Sequence, residues 1–405
     1  MCFLTRGTGY SSASNPRHPQ GGVVWSEIGN SVAIVRAIAK NMRAVGVIPK
    51  KREVALFDQH AMPSLNEPGH AKIRVIEVGI CGTDREICSF AYGTPPDGSD
   101  YLVLGHEALG EVVEVGAGVT RLRVGDLVVP SVRRPCPHED CPSCQVGRQD
   151  FCFTGDFTER GIKMVHGYMT EFFVEDEEHL NLVPAELRDV AVLVEPLTVA
   201  EKALAQVTAV QSRLNWGSGA GKTAVVLGAG PIGILGAMAL VVRGYKTFVY
   251  SRSAEPNPKA ALVNSIGAKY ISSETTSLAD FQKLTGNIDL VYEAVGVAKI
   301  SFEVMKVLGL NGVFVFTGIP AHKPAIPVEA DSLMRQMVLM NQVIIGTVNA
   351  DRSAFEGAIA DLAIFKQRWP DALRKVISGR FPMESYRDLL LGKATGIKNV
   401  ITIGG

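Results

Sequence analysis

A glycine-rich turn between a strand and a helix constrains this chain more than any other feature of its sequence. Residues 224–227 (Ala-Val-Val-Leu) have the character of a buried strand, and Gly228-Ala229-Gly230-Pro231-Ile232-Gly233 follows at once. Beyond Gly233 the chain reads as an apolar helix to about residue 242. Glycines in this G-x-G-x-x-G spacing permit a tight turn and a close backbone approach to a pyrophosphate. The helix N-terminus adds free N–H groups and positive partial charge. Downstream, strands are expected at 247–250, 289–293 and 313–317, with a helix at 259–266. Strands alternating with helices after such a turn predict a doubly wound parallel α/β sheet of the Rossmann type, with a dinucleotide at Gly228, Gly230, Pro231, Ile232 and Gly233.

The end of the second strand bears on which dinucleotide. An NAD site carries an acid there for the ribose hydroxyls, whereas this chain reads Tyr250-Ser251-Arg252-Ser253. Two hydroxyls and a guanidinium suit a 2′-phosphate. NADP is therefore expected, with Glu255 close enough in sequence to leave NAD use open. Just upstream, Gly217-Ser218-Gly219-Ala220-Gly221-Lys222-Thr223 ends like a nucleoside-triphosphate loop. Trp216 stands where that loop needs its first glycine, and the segment precedes a strand instead of following one, so it reads as a connection.

From residue 42 to about 184 the pattern changes to short β-rich runs, at 42–48, 72–78, 111–115, 127–132 and 169–174, parted by Gly, Pro and Asp. Such spacing predicts a compact, mostly β, barrel-like domain. After residue 345 come helices at 355–365 and near 373–377 and a strand at 399–403, expected to return to that first domain. The expected organisation is 42–200, a β-rich domain; 201–345, the dinucleotide domain; and 346–405, the return. Residues 1–41 are expected to be a disordered extension, since they hold no continuous apolar signal segment. Arg6, Arg17 and His18 make a targeting role the alternative, and Met42 offers a second possible start. At 405 residues the chain can build two substantial cores. Its 41 basic and 41 acidic residues cancel, which argues against nucleic acid or a membrane surface as partner. No apolar run reaches the roughly 18–20 residues of a membrane span, and a cytoplasmic location is expected.

Seven cysteines are present, and four of them, Cys136, Cys141, Cys144 and Cys152, fall within seventeen residues. That density fits a metal knot better than a secreted disulfide framework. Four soft thiolates suit a closed, tetrahedral, structural zinc, with His138 a competitor of Cys136 for the first position. A second constellation is dispersed: Cys81 in Cys81-Gly82-Thr83-Asp84, His106 and Glu107 in Gly105-His106-Glu107, and Glu195 in Val194-Glu195-Pro196-Leu197. Cysteine, histidine and carboxylate together make a mixed zinc site that can keep a position open for a substrate oxygen.

The run Gly105-His106-Glu107-Ala108-Leu109-Gly110, with Gly116 five residues on, resembles the zinc signature of the medium-chain dehydrogenases, and Gly125-Asp126-Leu127-Val128 resembles their G-D-x-V turn. The likeness runs from about residue 42 to the C-terminus. Within that superfamily the chain is most similar to the glucose 1-dehydrogenase family. The segments that carry this are Arg133-Arg134-Pro135-Cys136, Gly167-Tyr168-Met169-Thr170-Glu171, Glu195-Pro196-Leu197, Tyr250-Ser251-Arg252 and Gly346-Thr347-Val348-Asn349. The resemblance implies a GroES-like barrel as the catalytic domain. It implies Cys81, His106 and Glu195 as catalytic zinc ligands, with Glu107 as a further or alternating one, and Thr83 as the hydroxyl between substrate and proton relay. Glu107, Glu171, Glu195 and Asn349 would meet the sugar. Thr317, Gly318, Ile319, Thr347, Val348, Asn349 and Lys398 would meet the coenzyme.

The reaction so implied is oxidation of C1 of an aldose such as D-glucose to the lactone, with NADP as acceptor and two zinc ions per chain. Relatives of this kind form homodimers or homotetramers. Val199 departs from those that hold a sugar hydroxyl with an aspartate there. The alternatives are a polyol or threonine dehydrogenase of the same superfamily, or a zinc-free quinone reductase or NADP-binding sensor, against which the mixed ligand set speaks.

Overall fold

The computed structural model describes residues 41–217, 219–320 and 324–403, so the expected extension over residues 1–41 lies, apart from Asn41, outside the described residues. In chain order the first half holds β1 (Asn41–Ile48), β2 (Glu53–Ala61), β3 (His70–Gly79), α1 (Gly82–Cys88), β4 (Leu102–Val103), β5 (Glu107–Val115), β6 (Leu127–Pro130), β7 (Arg133–Arg134), β8 (Thr158–Arg160), β9 (Met164–Val165), β10 (Phe172–Asp176) and β11 (Leu180–Val183). Then come α2 (Val194–Gln211), β12 (Thr223–Leu227), α3 (Pro231–Val242), β13 (Lys246–Ser251), α4 (Pro258–Ser265), β14 (Lys269–Ser272), α5 (Leu278–Thr285), β15 (Leu290–Glu293), α6 (Ala298–Met305), β16 (Val313–Phe316), α7 (Ala330–Leu339) and β17 (Val343–Gly346). The chain closes with α8 (Arg352–Arg368), α9 (Pro370–Val376), β18 (Ile377–Pro382), α10 (Tyr386–Leu391) and β19 (Lys398–Thr402).

Valine-rich strands with alternating burial form the first half, as β-branched side chains favour a pleated, half-buried surface. One sheet runs β11-β6-β5-β3-β19-β18 with β10 also on β3, a smaller one runs β2-β1-β4, and a short ribbon joins β7, β8 and β9. β19 lies antiparallel on β3, so the C-terminal segment completes the first sheet. The second half is a six-stranded parallel sheet in the order β14-β13-β12-β15-β16-β17. Its central strands β12 and β15 are buried along their whole length and mostly apolar, the pattern expected when helices cover both sides. β13 lies to one side of β12 and β15 to the other. The order therefore reverses at β12, which opens a crevice at the C-terminal ends of these strands.

The expected domain border between residues 200 and 201 falls inside α2. This helix was not legible in the sequence, because its buried residues cover several faces: it packs on both α3 and α8. Pro196 sits in its first turn, where a missing N–H costs nothing. α7 also escaped the pattern, since its apolar Met334, Val338 and Leu339 are exposed. Among the described residues no helix is long and apolar enough to cross a membrane.

A buried ion cluster fixes the ribbon that carries Glu159. The Glu175 carboxylate accepts from Arg134 Nε at 3.2 Å and Arg160 Nε at 2.9 Å, and Arg134 Nη2 reaches Tyr168 Oη at 3.1 Å. Burial alone would raise the Glu175 pKa, but the two guanidinium groups hold it far below the usual carboxylate range. A depressed folded value contributes stability that is present above the unfolded value, near 4.3, and lost as pH falls through the folded one. Glu175→Leu strands Arg134 without its carboxylate and is expected to cost about 3–5 kcal/mol in chemical denaturation. The loss should shrink in acid, where the wild type surrenders the same contribution.

Candidate active site and metal centres

The dispersed cysteine, histidine and carboxylate meet where β3 ends and β5 begins. Cys81 adopts an extended conformation just before α1, and its N–H donates to Asp84 Oδ2 at 2.8 Å. The other oxygen of Asp84 accepts Gly105 N–H at 3.2 Å and lies 3.6 Å from His106 Nδ1. Gly105 has φ +88°, and a Cβ there would stand 2.7 Å from Met169 Cγ, so only glycine lets the chain turn into His106 at this depth. Glu107 opens β5 opposite Gly79. Ligand atoms of Cys81, His106 and Glu107 lie within 4.8 Å of one another.

These residues fit a zinc ion. His106 Nδ1 makes no hydrogen bond among the described residues and faces Asp84, the usual arrangement when the other ring nitrogen serves a metal. Burial would push the imidazole pKa down, but Asp84 and the Cys81 thiolate raise it well above its ordinary value. The same negative potential favours a divalent cation. Glu195, half-buried in the first turn of α2, stands outside the group of three yet within their field. Burial pushes its carboxyl up to about 7, with His106 and Lys398 opposing the rise and Glu107 adding to it.

Lys398 is placed differently from the coenzyme contact that the resemblance implies. It is 2 % exposed, and its ammonium donates to both Glu107 oxygens, at 2.7 and 2.6 Å, and to Ile80 O at 3.1 Å. Burial alone would lower its pKa, yet Glu107 and Cys81 raise it, so the ammonium stays charged and occupies Glu107. Thr83, half-buried on the first turn of α1, adjoins Cys81.

The four cysteines of the loop converge within 4.8 Å, with Cys136 Sγ 3.7 Å from Cys144 Sγ. Backbone N–H groups of Cys144 and Phe153 pull the Cys141 thiol down, and burial pushes Cys144 up. His138 turns away, with Nε2 2.6 Å from Asp156 Oδ2 on the surface. Geometry therefore selects Cys136 over His138 for the first position.

At the sheet crevice Gly228 has φ +97°, and a Cβ on Gly233 would lie 2.1 Å from Gly228 O, so α3 starts hard against the turn. Pro231 opens the helix, followed by Ile232. Ser251 ends β13, with Arg252 and Ser253 exposed beyond it. Their carbonyls are anchored by Ser272 Oγ at 2.9 Å and Tyr270 Oη at 2.8 Å. Glu255 is engaged by Asn264 Nδ2 at 3.2 Å. Thr317, Gly318 and Ile319 follow β16, and Thr347, Val348 and Asn349 follow β17, with Thr347 N–H on Phe316 O at 3.0 Å.

Four residues here were not singled out by sequence. Asp84 sits in the first turn of α1, three residues after Cys81, a helix-start spacing that could have flagged it. Glu293, 1 % exposed, accepts the N–H groups of Val295 at 2.9 Å, Gly296 at 2.7 Å and Gly318 at 3.1 Å, shaping the crevice rim. Glu159 meets Asn349 Nδ2 at 2.9 Å. Lys202 donates to Val348 O at 2.8 Å. Glu159 and Lys202 have no local signal, since these partners lie far off in sequence, and of the three groups on Glu293 only Gly318 is distant. Glu171, by contrast, sits opposite Val75 on β3 and is engaged by Arg43 N at 3.2 Å and Nε at 3.3 Å.

Residues 188–403 match the family described as "Glucose dehydrogenase C-terminus", and residues 67–185 match the alcohol dehydrogenase GroES-like domain. The chain belongs to the glucose dehydrogenase family of zinc-containing medium-chain dehydrogenases. Members similar to it include the glucose 1-dehydrogenase of Methanocella arvoryzae, 36 % identical over 90 % of this chain and 100 % of the relative. Glucose 1-dehydrogenase 2 of Vulcanisaeta moutnovskia is 38 % identical over 89 % of this chain and 99 % of the relative. Among solved family structures, the Haloferax mediterranei glucose dehydrogenase in complex with NADP, Zn and gluconolactone superposes with a TM-score of 0.81 at 32 % identity, covering 90 % of this chain and 100 % of that one.

Because Asp84 orients both Cys81 and His106, Asp84→Ala is expected to weaken zinc binding at this site by about 10–100-fold. Competition with a chromophoric chelator measures it, the four-thiolate site serving as the internal control.

Proposed function

We propose that this chain is a zinc-dependent glucose 1-dehydrogenase, oxidising C1 of an aldose such as D-glucose to the lactone with reduction of NADP. The observation that carries the reading is family membership over nearly the whole length, joined to a Cys81–His106 metal corner beside a dinucleotide crevice. Cys81, His106 and Glu195 would hold the catalytic zinc, which when bound would supply Lewis-acid polarisation of the sugar oxygen, and the crevice would hold NADP as hydride acceptor.

The remaining tasks fall to side chains. Thr83 hands the substrate proton outward. Glu107, held by Lys398, offers its carboxylate edge beside the metal corner, and Asn349 hydrogen-bonds a sugar hydroxyl. Glu171, paired with Arg43 at 3.3 Å on a part-exposed edge, is the acid offered to a sugar hydroxyl, while Glu159, ion-paired with Arg133 at 3.0 Å, orients Asn349. Gly228, Gly230 and Gly233 cradle the pyrophosphate, and Ser251, Arg252 and Ser253 take the 2′-phosphate. Residues 42–200 and 346–405 form the catalytic half and residues 201–345 the coenzyme half. A four-thiolate zinc needs reducing surroundings, which supports a cytoplasmic location.

Kinetics with glucose, galactose, xylose, sorbitol and threonine, each with NADP and NAD, test the reading. An aldose with NADP is expected to give the highest kcat/KM, and turnover of sorbitol or threonine alone would overturn it. Arg252→Ala should lower kcat/KM for NADP by about 10–100-fold and leave NAD almost unchanged, the worth of a charge-assisted bond to phosphate.

A homodimer or larger homo-oligomer is the assembly we propose. β17 forms one edge of the parallel sheet, and α7 beside it exposes Met334, Val338 and Leu339. An edge strand flanked by exposed apolar side chains is normally covered. Light scattering on the eluted protein should give twice or four times the chain mass, and Val338→Glu should shift it toward one.

A further inference from the structure

We infer that Lys202 and Gln206, on one stripe of α2, are positioning residues that hold the 347–349 loop at the coenzyme crevice in register with the catalytic metal corner. The inference rests on the coenzyme reading above. Glu195, Lys202 and Gln206 are separated by seven and four residues, so at 3.6 residues per turn they fall on one face of the helix. The first belongs to the metal corner and the other two reach the loop after β17. Lys202 Nζ donates to Val348 O at 2.8 Å, and Gln206 Nε2 donates to Thr347 Oγ1 at 2.6 Å. From the other side Glu159 takes Asn349 Nδ2 at 2.9 Å. Asn349 itself has φ +61°, a left-handed conformation that asparagine adopts more readily than other non-glycine residues, with its own Oδ1 accepting Ala350 N–H at 2.8 Å.

The lysine is an unusual choice for this place. It is 4 % exposed, and a buried ammonium is costly unless its donors are used. Its second partner is Asp150 Oδ2 at 2.8 Å, and it lies 4.2 Å from the ring centroid of Phe151. Both belong to the loop that ends in Cys152. Burial lowers the Lys202 pKa and Asp150 opposes this; the bond to Val348 O stands on its geometry, 2.8 Å from a side chain held on its other side by Asp150. Lys202 thus joins three parts: the thiolate lobe, the helix that starts at the metal corner, and the loop on the coenzyme side. Asp150 also accepts both Arg148 Nε and Nη2 at 3.0 Å, so it keeps an ionic partner when Lys202 is removed.

The test uses Lys202→Met and Gln206→Leu in the zinc-loaded full chain, with metal content and thermal unfolding recorded. Hydrogen exchange over residues 346–350 without coenzyme, NADPH affinity by fluorescence, and separate KM values for NADP and glucose are the readouts. Expected for Lys202→Met are exchange faster by tenfold or more at 346–350, NADPH affinity and KM for NADP worsened about tenfold, and a smaller rise in KM for glucose, about threefold, through Asn349. Gln206→Leu should show the same pattern at about threefold, and it decides alone should Lys202→Met fail to fold. Unchanged exchange and NADPH affinity overturn the inference, as does an equal rise in both KM values with exchange loosened along all of α2. A wild-type chain that does not bind NADPH counts against the coenzyme reading, and local exchange at 346–350 still decides the tether.

Discussion

Asp84 is a carboxylate with no exposed surface, and a charge so placed must be compensated on every side. Its compensation comes from the Cys81 N–H, the Gly105 N–H and the His106 ring. These are the segments that carry two candidate zinc ligands, brought together from separate stretches of chain. Satisfying one buried acid therefore fixes the spacing of Cys81 and His106 before any metal arrives. The Lys398–Glu107 pair repeats the logic at higher stakes, since both partners are almost wholly buried. It locks β19 to the start of β5, which is why the last strand returns across the whole molecule to the first sheet. Opening either pair strands a charge next to the site, so the fold of the β-rich half and the geometry of its metal corner are not separable properties.

The two halves of the molecule share one continuous helix. α2 begins beside the metal corner with Glu195 and ends beneath the parallel sheet, with Gln211 Nε2 on Asn311 O at 2.9 Å. A rigid element spanning the border ties the spacing of the metal corner and the coenzyme crevice to helix geometry. Loop geometry would set it far less tightly. Hydride transfer is steep in donor–acceptor distance, and orientation of this kind is among the largest contributions a protein makes.

The sequence made the coenzyme half legible because its determinants are local. Gly228 to Gly233 sit between a strand and a helix, and the apolar runs that follow have the lengths of strands in a parallel sheet. The four cysteines were legible for the same reason, being close in sequence, and geometry only had to choose Cys136 over His138. The dispersed site was half legible. Cys81, His106 and Glu107 stood out by type and by resemblance, but their organiser Asp84 did not, because an acid near a helix start is common. Lys398 and Glu171 show the limit most clearly: likeness implies a role for each, but their tertiary partners, Glu107 and Arg43, are revealed by no spacing in the sequence. Glu159 and Lys202 were invisible because their meaning lies in contacts with Asn349 and Val348, which lie 190 and 146 residues away in the chain.

The thiolate lobe looks at first like an appendage, yet its composition shows why it needs a metal. Between Cys136 and Cys152 there are only two short 3-10 turns, and Val146 and Phe151 are 72 % and 48 % exposed. A segment that buries so little cannot offset the entropy of ordering its backbone by apolar contact. A four-thiolate zinc can, because its binding free energy is folding free energy for the loop that supplies the ligands. What the loop gains in order it passes inward, since Asp150 and Phe151, just before Cys152, lie against Lys202 on α2. A metal held by the four cysteines would therefore act on the rest of the molecule through packing: it would stiffen a lobe with few apolar contacts, and that lobe backs the helix that carries Glu195.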